Sequence, residues 1–185
     1  MGASLCRLLN ANVALRTPFD SNWESGQSNR PHYHETLVHY PASFIPEVKR
    51  VMFLGGGDSM ILEEVVKYKS LELVVGMELD KGVVQASFLH FETMPHWDDG
   101  RVEWWFGDAA KSMRLLPEEY LGTFDIIYVD MQNFIVEELK IMEQVSRYAH
   151  PQHGIVMRNE DGGFGTLVPF ALHNGELSLI WPTSL

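Results

Sequence analysis

From residue 49 onward the hydrophobic positions follow two patterns, short unbroken apolar runs and longer stretches with apolar residues three and four apart. The first predicts buried strands and the second amphipathic helices. Arg50-Val51-Met52-Phe53-Leu54 is the first strand, and Ser59 to Tyr68, with Met60, Ile61, Val65 and Val66 at helical spacing, is the helix after it. The alternation then repeats: strand Leu73 to Met77, helix Lys81 to Phe91, strand Val102 to Phe106, helix Ala109 to Leu116, strand Phe124 to Val129, helix Val136 to Tyr148, strand Gly154 to Arg158. Strands separated by helices run parallel and are covered on both faces, so the pattern predicts an α/β domain around a mainly parallel sheet. Upstream, Tyr33, Leu37 and Tyr40 predict a helix over His32 to Tyr40 that ends near the Pro41 to Pro46 stretch. Beyond Gly162 there is no clear period, and Glu176 to Trp181 is a candidate late strand. Asn22 to Pro31, rich in Ser, Asn, Gly and Gln, reads as loop. The chain thus divides into an irregular N-terminal segment, residues 1–31, and one domain, residues 32–185.

Composition narrows the partners. A net charge of −11 argues against a nucleic-acid backbone, which needs clustered Lys and Arg, and favours a cationic substrate. The single Cys6 has no partner for an internal disulfide, and no run approaches the length of a membrane span. These features predict a cytoplasmic protein. Met1 to Pro18, with Arg7 and Arg16 and no acid before Asp20, keeps an organellar transit segment as the alternative. The Met-Gly start carries Cys6 where a myristoylation signal prefers Ser or Thr.

In an open parallel sheet ligands bind beyond the carboxyl ends of the strands. Four acidic residues stand at those ends: Asp58, Glu78, Asp108 and Asp130. Gly55-Gly56-Gly57, between a strand and a helix, lets the backbone turn sharply and approach a ligand closely. Glu78 sits where such folds accept hydrogen bonds from ribose hydroxyls, and the carboxylate of Asp108 suits the exocyclic amine of adenine. Plainer roles stand beside these: Gly55 to Gly57 as a tight turn, Asp80 as a helix cap, Asp108 as the cap of the next helix. His34 and His39 flank the first helix, where a lone His is more often structural than catalytic. Trp97, Trp104, Trp105 and Phe106 read as packing rather than as a stacking platform. The remaining His90, His96, His150 and His153 read as scattered surface residues, and no metal site is expected. No Walker lysine follows the glycines and there is no Gly-x-Ser-x-Gly, which disfavours P-loop phosphoryl transfer and α/β-hydrolase chemistry.

The run Tyr33-His34-Glu35 through His39 and Pro41, then Val51-Met-Phe-Leu-Gly-Gly-Gly-Asp58, Glu78-Leu-Asp80, Gly107-Asp108-Ala109 and Phe124-Asp125-Ile-Ile-Tyr-Val-Asp130, resembles the spermidine synthase (polyamine aminopropyltransferase) family in order and spacing. The likeness covers about 100 residues, His32 to Asp130. It implies a Rossmann-like fold of the class I S-adenosylmethionine-dependent transferase type, with decarboxylated S-adenosylmethionine as co-substrate and no metal. Carried over by resemblance, Gly55 and Asp58 line the cofactor site, Glu78 holds the ribose, and Asp108 with Ala109 contacts adenine. Tyr33 and His34 face the polyamine, and Asp130 orients the acceptor amine and takes up its proton. That proton matters because an amine with a pKa near 10 is mostly protonated at neutral pH and has to lose a proton before it attacks the carbon beside the sulfonium.

The loop after Asp130 departs from the family's Asp-x-x-Asp-Pro: it reads Asp130-Met131-Gln132-Asn133-Phe134, with Asn133 in place of the second aspartate and no proline. Three readings follow. The first is an aminopropyltransferase acting on a polyamine such as putrescine. The others are a methyltransferase on the same fold and a catalytically inactive, structural subunit of a larger assembly. A homodimer or a hetero-assembly is expected in each case.

Overall fold

The computed structural model describes residues 34–91, 93–131, 135–160, 166–173 and 176–179. Its strands are β1 (Arg50–Gly55), β2 (Leu73–Glu78), β3 (Val102–Phe106), β4 (Ile126–Asp130), β5 (Ile155–Glu160), β6 (Thr166–His173) and β7 (Glu176–Leu179). Its helices are α1 (residues 34–42), α2 (Met60–Val65), α3 (Lys81–Phe91), α4 (Ala109–Met113) and α5 (Ile135–Ser146). The strands form one sheet in the order β3-β2-β1-β4-β5-β6-β7. The first five in that row are parallel, as the alternation requires. β6 and β7 continue the sheet antiparallel.

The central strands are buried on both faces, which is why they read as unbroken apolar runs. Alternate residues feed two cores. Phe53, Val74, Ile126, Tyr128 and Met157 point to the face carrying α1 and α2. Met52, Val75, Ile127 and Val156 point to the other, with Met113 of α4 and Val145 of α5. Gly76 lies under the Phe53 ring, where a methyl group would overlap it. The buried Tyr128 hydroxyl donates to the Val38 carbonyl at 3.0 Å and fixes α1 on the sheet, and burial holds its pKa well above the ordinary value.

At the amino ends of the strands, Asp125 is 7% exposed. It accepts the backbone N–H groups of Lys49 (2.7 Å) and Arg50 (2.8 Å) and lies 2.8 Å from His153 Nε2. His150 and His153 are therefore not scattered. Their rings stack with centroids 3.6 Å apart, and burial, followed by the neighbouring His153, lowers the pKa of His150. The pairing joins residues in the turn before β5 to the start of β4, which spacing along the chain cannot display.

The helix after β3, expected to reach Leu116, closes at Met113, and two further elements differ from expectation. The helix after β1 closes at Val65 because Lys67 and Tyr68 donate three residues back, to Glu64 and Val65, in a tightened last turn. β6 was not anticipated; its run Thr-Leu-Val-Pro-Phe-Ala-Leu-His has no alternation and contains Pro169, which pairs with Met157 in the ladder. Among the described residues no helix is long and apolar enough to cross a membrane.

Candidate active site

β1 ends where the backbone enters the left-handed region at Gly55 (φ +85°) and Gly56 (φ +70°). Gly55 is level with Asp130 across the β1–β4 ladder, and a methyl group at Gly55 would collide with the Asp130 carbonyl oxygen. The glycine turn and the end of β4 are thus pressed together. Asp130 closes β4 half-buried, with Met131 beside it.

The second glycine contact was not visible in the sequence. A methyl group on Gly57 would lie 2.7 Å from Glu78 Oε2, so this glycine leaves the space in which the Glu78 carboxylate sits. Burial raises the Glu78 pKa, against hydrogen bonds from the backbone N–H groups of Asp80, Leu79 and Gly57; the bond from Asp80 to Oε1 measures 3.1 Å. A carboxylate oriented by its own turn and by the glycine loop retains acceptor capacity toward the open end of the sheet. Next to it Leu79 is 72% exposed, an apolar surface among strand-end acids that the sequence reading passed over. Asp80 caps α3, its Oδ1 accepting the Gly82 N–H at 2.7 Å.

Asp58 Oδ1 accepts the Met60 N–H at 3.0 Å, and Oδ2 lies 3.8 Å from His34 Nε2. Buried His34, in the first described turn of α1, is therefore brought to the glycine loop. His39 is used elsewhere: its Nδ1 is 2.6 Å from the Tyr68 hydroxyl and its Nε2 3.1 Å from Glu64 Oε2, a structural bridge between α1 and α2. Burial, with Glu64 nearby, pushes the Tyr68 pKa up to about 12.

Asp108 is the N-cap of α4, accepting the Lys111 N–H at 3.1 Å. The capping role is real, and the carboxylate remains exposed at the end of β3. Half-buried Ala109 follows it as the first residue of α4. Gly55, Glu78, Asp58, His34 and Asp130 thus meet around the ends of β1, β2 and β4, with Asp108 and Ala109 one strand further out. Tyr33 and Asn133 lie outside the described residues. Among the described residues no group of three His, Cys, Asp or Glu side chains is placed to hold a metal.

A parallel sheet in the order 3-2-1-4-5, a glycine turn after the first strand and an acid after the second define the Rossmann-like fold of the S-adenosylmethionine-dependent transferases. The spermine/spermidine synthase domain matches residues 30–162, and the chain belongs to that family. It is 35% identical over 113 residues to a spermine synthase of Arabidopsis thaliana, covering 60% of this chain and 31% of that one. Its fold matches a spermidine synthase crystallised with the transition state analogue AdoDATO, with a TM-score of 0.61 and 26% identity over 71% of this chain and 46% of that one. It also matches a putative O-methyltransferase from Klebsiella pneumoniae, with a TM-score of 0.50 and 18% identity over 71% of this chain and 55% of that one, a likeness of fold alone. The chain spans about a third of the length of the curated relatives it matches.

Proposed function

We propose that this chain binds decarboxylated S-adenosylmethionine at the ends of β1, β2 and β3 and transfers its aminopropyl group to a polyamine such as putrescine. The carrying observation is the meeting of the glycine loop with both flanking acids, Gly57 against Glu78 and Gly55 against Asp130. Glu78 accepts from the ribose hydroxyls, Leu79 offers the base an apolar surface, and Asp108 with Ala109 meets its edge. Asp58 with His34 faces the aminopropyl and acceptor side.

In the reaction the acceptor nitrogen gives its proton to Asp130 and attacks the carbon beside the sulfonium. A C–N bond forms as the C–S bond breaks, and the sulfur leaves with the electron pair as neutral methylthioadenosine. The sulfonium supplies the driving force, so these residues position the reactants and place negative charge beside a cationic amine.

Asn133 and the missing proline favour a second reading, a domain that binds the nucleoside without turnover. Calorimetric titration with methylthioadenosine, followed by a turnover assay with decarboxylated S-adenosylmethionine and putrescine, separates the two. Binding with turnover supports the transferase, and binding without turnover supports the inactive domain. Absence of binding overturns both.

A further inference from the structure

Beside the last turns of α4 and α5, near the amino end of β4, runs a groove of about 220 Å³. It lies at the other end of α4 from Asp108 and is separate from the candidate active site. Its walls are tied together. The Tyr148 hydroxyl donates to the Met113 carbonyl, the Gly122 N–H to the Arg147 carbonyl at 2.9 Å, and the Phe124 N–H to the Tyr148 carbonyl at 3.0 Å. Gln144, its amide turned so that both ends are satisfied, donates to the Ala110 carbonyl at 3.1 Å and accepts from Arg114 Nη2 at 3.3 Å.

Arg114 and Arg147 both line this groove. In a chain of net charge −11 carboxylates are plentiful, and Lys49, Lys67, Arg101 and Lys111 each pair with one. Arg114 and Arg147 make no ion pair among the described residues. Each stands just past the last turn of its helix, where a cation complements the helix end. That role accounts for each charge singly and leaves most N–H groups of both guanidinia without a protein acceptor among the described residues. The Arg147 charge acts on the Tyr148 hydroxyl, opposing the rise in pKa that burial causes there. Buried Leu116 and Leu121, 38% exposed, add an apolar wall, and Glu118 is the one carboxylate in the lining.

The geometry points to a binding site for a small organic acid with one carboxylate and an apolar body. A planar guanidinium presents paired donors that match the two oxygens of a carboxylate, and here two guanidinia serve one head group. Two arginines set against Glu118 leave one net positive charge in the lining, which a single carboxylate balances and a phosphate dianion exceeds. The body of the acid rests on Leu116 and Leu121. The hydrogen bonds between the walls hold the groove in shape before the acid arrives, which lowers the cost of ordering it.

The test is titration of the full chain with benzoate, followed by calorimetry and by the Nε–Hε NMR signals of the arginines. Benzoate should bind with a Kd of about 1 mM or tighter and move the signals of Arg114 and Arg147. Inorganic phosphate, a head without a body, and benzyl alcohol, a body without a charge, should each bind at least about 10-fold more weakly. Arg114→Gln and Arg147→Gln should each weaken benzoate about 10-fold or more, and Glu118→Gln should tighten it about 3-fold. Absence of saturation by about 20 mM benzoate overturns the proposal. So does binding that leaves both arginine signals unmoved or survives both arginine substitutions, because the acid then sits elsewhere. Phosphate binding as tightly as benzoate overturns the assignment to a carboxylate with an apolar body.

Discussion

Asp125 and Asp130 stand five residues apart, one just before β4 and the other at its end, and the chain treats them differently. Asp125 is enclosed and takes backbone hydrogen bonds from Lys49 and Arg50, 76 and 75 residues away, together with the contact from His153. Of the acids at the other end of the sheet, Asp58, Glu78 and Asp130 are half-buried and Asp108 is exposed. Two of them accept hydrogen bonds from N–H groups only two residues along, Glu78 from Asp80 and Asp58 from Met60. At the amino end a carboxylate is consumed in joining distant segments. At the carboxyl end the turns orient carboxylates and leave acceptor capacity facing the open end of the sheet. On the proposed function, fold and chemistry occupy opposite ends of the same strands, and substitutions at the two ends should produce separable losses.

The largest expected effect is at Asp130. If it takes the amine proton, Asp130→Asn lowers turnover of decarboxylated S-adenosylmethionine with putrescine by about 100- to 10,000-fold. Methylthioadenosine affinity and the urea midpoint stay near those of the unaltered chain. Undiminished turnover would remove Asp130 from the mechanism. Asp125→Ala should do the reverse. It strands two backbone donors and a histidine, costing roughly 3 kcal/mol of stability in urea unfolding, while the folded fraction binds methylthioadenosine normally. A comparable loss of affinity would mean that the two ends are coupled through β4.

Glu78 tests whether an acid at the carboxyl end serves binding at the expense of stability. Burial raises its folded-state pKa, so between the ordinary carboxylate value and the raised one the folded chain holds more protons than the unfolded chain. The Glu78 contribution to stability therefore falls as pH rises through that window and stays unfavourable at neutral pH. Glu78→Gln should leave the chain as stable or slightly more so at pH 7, and should weaken methylthioadenosine binding about 10- to 100-fold, the loss of a charged acceptor. In the unaltered chain affinity should fall as pH drops through the raised value, and in the variant it should be flat there. Parallel pH profiles would show that Glu78 does not hold the nucleoside.

The same division explains what was legible in the sequence. Apolar runs buried on both faces and the acids that end them are local signals, so β1 to β5 and Asp58, Glu78, Asp108 and Asp130 could be read residue by residue. The contact of Gly57 with Glu78 and the clamp of Asp125 on β1 join residues 21 and more positions apart and leave no period in the chain. β6 escaped for a local reason, since Pro169 interrupts the pattern that marks a strand.

The smallest effect concerns the loop that presents these acids. Ser59 has φ +64°, the left-handed conformation that a side chain disfavours, and its fully buried hydroxyl has no hydrogen-bond partner among the described residues. Ser59→Gly removes both penalties, each of roughly 1 kcal/mol or more, and gives back about 0.5–1 kcal/mol through the freer unfolded backbone. The net expectation is a gain of about 1 kcal/mol in urea unfolding. Ser59→Ala removes the hydroxyl but keeps the backbone strain, so it should recover only part of that gain. If alanine matches glycine, the cost at this position lies in the buried oxygen. If alanine gains nothing, the cost lies in the backbone, and the loop is held in its shape against local preference, as Asp125 at the other end of the sheet never has to be.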